Sequence, residues 1–216
     1  MSDIIKAIER SEIILIDTSS LMNYSNLDSA LKRIKPILIE ENKKIHITAQ
    51  VSLELLKHAT SKDGRKKYRA KKAEEIIDVY KDIFFIDDYS SFKSNGYYVF
   101  ADATLLSKMI INRAHFSQLL ITNDKGLSED ALNINNSKSC FGKQVFVYSV
   151  SKQGEFEEVI IANKIPSKQK NNQTIDCSQS EKVFTIISFF ALGVIVGKGG
   201  AKYLKCINNL NWRSFI

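Results

Sequence analysis

Proline is nearly absent from this chain of 216 residues, occurring only at Pro36 and Pro166, and this excludes a Pro-rich linker. Glycine is scarce as well, and none follows the first hydrophobic run, where the chain reads Asp17-Thr18-Ser19-Ser20-Leu21-Met22-Asn23. A dinucleotide-binding protein needs glycine at that turn so that backbone amides can approach a pyrophosphate. The late Gly197-Lys198-Gly199-Gly200 lacks the upstream glycine of a phosphate-binding loop. Both cofactor readings are therefore weak. The three cysteines, Cys140, Cys177 and Cys206, are odd in number and widely spaced, which fits neither a zinc site nor a disulfide framework. Residues 1–11 hold no apolar stretch of the secretory kind. Together these features fit a reducing cytoplasm. His46, His58 and His115 show no ligand spacing and read as structural or surface residues.

What the chain does have is basic charge, +7 net, which favours polyanions or anionic membrane surfaces. The excess is mild over residues 1–150 and denser beyond them. Its sharpest concentration is Arg65, Lys66, Lys67, Arg69, Lys71 and Lys72. Such a run is ordinarily a solvated helix face. The sharper reading, in which Arg65, Lys66, Lys67 and Arg69 track the phosphates of a polyanion, gains weight only if the acids of the chain bind metal.

Apolar runs alternate with helical periodicity. Short strands are expected at 13–16, 45–48, 83–86, 118–122 and 144–148. Helices are expected at 4–9, 29–38, 51–59, 64–81, 101–112 and 126–131. The helix over 64–81 places Tyr68, Ala73, Ile76, Ile77 and Tyr80 on its apolar side. All-apolar strands between helices fit a parallel sheet buried on both faces. The fold class is α/β: a three-layer α/β/α sandwich around a central, mostly parallel sheet, ending near Val150.

Four acids punctuate this pattern. Asp17 follows Ile13-Ile14-Leu15-Ile16, and Asp124 follows Leu119-Leu120-Ile121-Thr122-Asn123. Glu54 comes just after the second strand, and Asp102 opens a helix. In a parallel sheet the carboxyl ends of the strands share one edge, where open α/β folds bind ligands. Carboxylates gathered there raise one another's pKa unless a cation holds them, and an all-oxygen set suits a hard divalent ion. Each acid also has an ordinary reading, as a helix cap, a turn former or a surface helix acid. Asp87, Asp88 and Asp130 are given only such roles.

In this order and setting the sequence resembles the PIN-domain nuclease family. Ile14-Leu15-Ile16-Asp17-Thr18-Ser19 is similar to that family's first strand and acid, and Val51-Ser52-Leu53-Glu54-Leu55 to its helix-borne Glu. Ala101-Asp102-Ala103 resembles the third acid, and Ile121-Thr122-Asn123-Asp124-Lys125-Gly126-Leu127 the Thr-Asn-Asp turn. The resemblance covers roughly residues 12–150 and implies a PIN-like fold. It implies a metal-dependent endoribonuclease acting on single-stranded RNA, toxin-like or RNA-processing. Asp17, Asp102 and Asp124 would hold Mg²⁺ or Mn²⁺, and Glu54 would complete the catalytic set. Ser19, Thr122 and Asn123 would orient the carboxylates. A protein inhibitor of the antitoxin kind is an implied partner. The alternative is an inactive PIN-like module that binds RNA or protein, tethered to a membrane. Toxins of the family are typically one compact domain, and this chain continues past it.

That continuation reads as a polar linker over 151–182 and a hydrophobic C-terminal segment over 183–216. The uncharged run 183–197 falls just short of a bilayer span. Lys182 and Lys198 would snorkel, and Tyr203 or Trp212 would sit at an interface. Gly193 and Gly197, four apart, would let two such helices pack, as in a homodimer. A buried hairpin or helix packed on the domain is the competing reading. With an anchor, the catalytic domain would lie on the cytoplasmic face.

Overall fold

A computed structural model of the chain describes residues 3–87, 101–136 and 142–160. Asp88, the three cysteines, the rest of the polar linker from residue 161 and the hydrophobic segment lie outside those residues. The elements run α1 (Asp3–Arg10), β1 (Ile13–Ile16), α2 (Thr18–Leu21), α3 (Tyr24–Glu40), β2 (Ile45–Ile47) and α4 (Ala49–Ala59). They continue with α5 (Gly64–Val79), β3 (Phe84–Ile86), α6 (Ala101–Asn112), β4 (Gln118–Ile121), α7 (Lys125–Asn136), β5 (Val145–Val150) and β6 (Phe156–Glu158). Among the described residues no helix is long and apolar enough to cross a membrane.

The six strands form one sheet in the order β3-β2-β1-β4-β5-β6. The pairs β1–β2, β1–β4, β2–β3 and β4–β5 are parallel, and β5–β6 is antiparallel. Ile14, Leu15 and Ile16 of β1 and all four residues of β4 are buried, so neighbouring side chains are covered on opposite faces. This is consistent with a three-layer arrangement of helices on both sides. The strand order reverses direction between β1 and β4, which opens a crevice at their carboxyl ends.

Local chemistry sets the helix ends. The Asp17, Thr48 and Asp63 side chains cap α2, α4 and α5, each accepting from amides of the first turn. Helix α3 stops at Asn42, whose φ of 51° is left-handed. There Lys43 N–H bonds the Leu38 carbonyl at 2.8 Å and Asn42 N–H the Ile39 carbonyl at 3.1 Å, satisfying two orphan acceptors.

Several expectations differ from the structure, and α7, for one, runs to Asn136 rather than residue 131. Helix α3 starts at Tyr24 rather than residue 29, held by Asn26 Nδ2 donating to Asn23 Oδ1 at 2.9 Å and by Leu27 N–H on the Asn23 carbonyl. The sheet continues beyond Val150 through β6, which the turn at Gly154 (φ 69°) brings back onto β5. Strand β3 is an edge, so Phe85 and Ile86 are exposed rather than buried. Tyr68 is 54% exposed and is not on the buried side of α5, which Ala70, Ala73 and Ile76 form.

Candidate functional site

The register Ile16↔Ile121 brings Asp17 and Thr122 side by side at the ends of two central strands. Asp17 is 3% exposed. Its Oδ1 accepts the Ser20 amide at 2.9 Å, and its Oδ2 accepts the Ser19 and Thr122 hydroxyls, both at 2.7 Å. Thr122 Oγ1 in turn accepts the Asp124 amide at 3.0 Å, and Asp124 Oδ1 accepts the Leu127 amide at 2.9 Å, capping α7. Asp17 and Asp124 therefore do act as helix caps, and the same geometry fixes where their carboxylates stand.

Asn123 ties the ends of β4 and β5 to helix α2. Its Oδ1 accepts the Ser20 hydroxyl at 3.0 Å, its Nδ2 donates to the Val150 carbonyl at 2.7 Å, and its amide donates to Ser19 Oγ at 3.1 Å. Glu54, in the second turn of α4, accepts the Thr18 hydroxyl on Oε2 at 2.8 Å and has His58 Nε2 3.8 Å from Oε1. Thr18 thereby ties the α4 acid to the loop that carries Asp17. Neither Thr18 nor Ser20 was assigned a role from sequence, since both act across the fold. Their hydroxyl character at the turn was the one signal available.

Asp102 lies in the first turn of α6. Its carboxyl is pushed above the usual range by partial desolvation, then by the negative charges of Glu54, Asp17, Asp124 and Asp130, all in the same direction. Asp102 thus lies within the field of the other three predicted acids, and of Asp130 with them. Asp17 is also raised, because burial of its charge outweighs the hydrogen bonds from Ser19, Ser20 and Thr122. Asp87 does more than cap or solvate: its Oδ2 pairs with Lys108 Nζ at 2.8 Å.

Among the described residues no three His, Cys, Asp or Glu side chains stand close enough to hold one ion as placed. The hydrogen bonds account for part of that spacing, since both Asp17 oxygens and one each of Glu54 and Asp124 point at donors. The chemistry of the donor set still fits a hard divalent cation: oxygen ligands only, buried at one member, with a negative field at Asp102 that a cation would relieve.

The basic residues Arg65, Lys66, Lys67 and Arg69 are exposed at the start of α5. Arg69 Nε donates to the Met22 carbonyl at 2.9 Å, which places this end of the helix beside the segment leading out of α2. A comparison with known proteins found no family model that matches the chain, and no curated protein matches it.

Proposed function

We propose that this chain is a PIN-like, divalent-metal-dependent ribonuclease that hydrolyses phosphodiester bonds in single-stranded RNA. The observation that carries the reading is the stitching of Asp17 and Asp124 through Thr122 at the carboxyl ends of β1 and β4, with Glu54 tied to the same loop by Thr18. Asp17, Asp102 and Asp124 would hold Mg²⁺ or Mn²⁺, with Glu54 beside them. When bound, such an ion supplies Lewis acidity toward a phosphoryl oxygen and lowers the pKa of water. The chain's own residues do the rest. Ser19 and Thr122 fix the rotamer of Asp17 by donating to one of its oxygens. Asn123 holds the two loops at a set distance from β5. The cations of α5 attract the RNA backbone by its phosphates.

The test is cleavage of a fluorescent single-stranded RNA by the full chain in Mn²⁺ or Mg²⁺, with and without chelator. Cleavage is expected to need the metal and to disappear in Asp17→Asn and Asp124→Asn. Thr122→Val is expected to reduce it about 10- to 100-fold. Variants that cut as fast as the wild type would overturn the site. RNA binding with no cleavage in any metal would make the chain an inactive binding module.

A further inference from the structure

We infer that Tyr68, backed by Tyr24 and set among the cations of α5, is a stacking platform for an unpaired nucleobase of a single strand lying across the acidic cluster. The inference rests on the nuclease reading for the purpose of the strand, but the platform itself stands on separate residues. A single exposed aromatic on a surface needs no explanation. Here four observations coincide on one. Tyr68 is 54% exposed in a helix whose inward side is formed by other residues. Tyr24 meets it edge to face, with ring centroids 6.1 Å apart and planes at 81°, a contact that holds the ring in place while leaving more than half of the residue open. Residues 65–72 contain six cations and no acid, with Tyr68 in their midst. Of these, Lys72 Nζ lies over the Tyr68 ring, 5.9 Å from its centroid, and is itself paired with Glu75 Oε2 at 2.6 Å.

Position supplies the remaining argument. Tyr24 begins α3, one short helix after Asp17, and Arg69, next to Tyr68, is bonded to the Met22 carbonyl. The platform is thus fixed to the segment that leaves the acidic site. Cations alone would hold a duplex or a single strand by its phosphates. An exposed aromatic ring among them selects the single strand, because only an unpaired base offers a free face to stack on. An acidic protein would be drawn by the same charge but gives the ring no comparable partner.

Binding of a single-stranded RNA of about 12 nucleotides carrying 2-aminopurine, measured by anisotropy and 2-aminopurine fluorescence, tests this on the full chain in chelator, where no cleavage occurs. Tyr68→Ala is expected to weaken binding about tenfold or more and to lose the fluorescence quench, with the salt dependence unchanged. Tyr68→Phe is expected to retain both. Lys67→Ala should instead flatten the salt dependence. A duplex of the same sequence should be indifferent to Tyr68→Ala. A single-stranded DNA arm shows which sugar is accepted, and the stacking expectation is the same for it. Equal binding by wild type and Tyr68→Ala, equal loss in Tyr68→Ala and Tyr68→Phe, or no binding of either strand by the wild type would overturn the platform. Tyrosine-dependent binding in a chain that never cleaves would keep the platform and remove the nuclease. Metal-dependent cleavage with binding indifferent to Tyr68 would do the reverse.

Discussion

Replacing Asp17 by asparagine keeps the shape of the side chain and removes one buried negative charge. Oδ1 can still accept the Ser20 amide, while the new NH₂ group meets the Ser19 and Thr122 hydroxyls, which must rotate to accept. The direction of the net effect follows from the wild type. Burial raises the Asp17 carboxyl above 3.8 in spite of its hydrogen bonds, so the folded state holds that proton more tightly than the unfolded chain. Ionisation therefore takes stability away as pH rises from 3.8 through the folded value, and above that the loss is complete. Without metal at neutral pH, Asp17→Asn should be the more stable protein, by roughly the 0.5–2 kcal/mol that a single stabilising substitution commonly gives. At about 2–4 °C per kcal/mol for a domain of this size, Tm rises by about 1–8 °C. A divalent ion at about 100 times its Kd should add about 2.7 kcal/mol to the wild type and nothing to the variant, reversing their order. Thermal unfolding of both proteins at pH 7, in chelator and in Mn²⁺, reads this directly. A variant less stable than wild type in chelator would show that the charge stabilises the fold and refute the electrostatic reasoning. Equal stabilisation of both by Mn²⁺ would remove Asp17 from the metal site.

Three further outcomes are expected. Tyr80→Phe removes the hydroxyl that donates to Asp28 Oδ1 at 2.8 Å and should cost about 1 kcal/mol at pH 7 in urea unfolding. Because burial, with Asp28 adding to it, pushes the Tyr80 hydroxyl up to about 12, that stability is present below pH 10 and lost as pH rises toward 12, so the gap between the two proteins should close and then reverse within that window. Arg113 is buried and donates to the Ile134, Asn135 and Lys143 carbonyls, so Arg113→Met should cost about 3–5 kcal/mol, seen as a lower urea midpoint at unchanged slope. Asn123→Ala should lower metal-dependent cleavage about 10- to 100-fold with the RNA affinity measured in chelator unchanged, since Asn123 holds the loops and not the strand.

Much of the fold is legible in the sequence where local signals and burial agree. Strand β1 and the Leu119–Ile121 part of β4 are uninterrupted apolar runs because both of their faces are covered, and α6 spans 101–112 as its periodicity predicts. Strand β6 is not legible: Phe156-Glu157-Glu158 has no apolar pattern and exists through its pairing with β5. Tyr68 reads as core by helical spacing, yet the side that α5 buries is set by small alanines that allow close approach, and spacing alone does not reveal that choice. At the proposed site, Asp17, Asp102 and Asp124 stand out in the sequence by their place after strands or at a helix start, whereas Glu54 falls in the second turn of α4 rather than the first. The hydroxyls of Thr18 and Ser20 do not stand out, because their partners Glu54 and Asn123 lie 36 and 103 residues away.

The Asp17–Thr122 bond spans 105 residues, and this separation has a consequence in time. During synthesis at about 5–20 residues per second, Asp17 leaves the ribosome about 5–20 s before the strand that orients it has been made. Until then β1 can pair only with β2, and its other side is an open, apolar edge of the kind that invites wrong partners. Insertion of β4 closes that edge and assembles the acid cluster in one step. A chain stopped after α6 would carry Asp17, Glu54 and Asp102 without Asp124 and without the Thr122 hydroxyl that completes the hold on Asp17. The proposed site is thus completed late in the life of the nascent chain, and with it comes protection from aggregation.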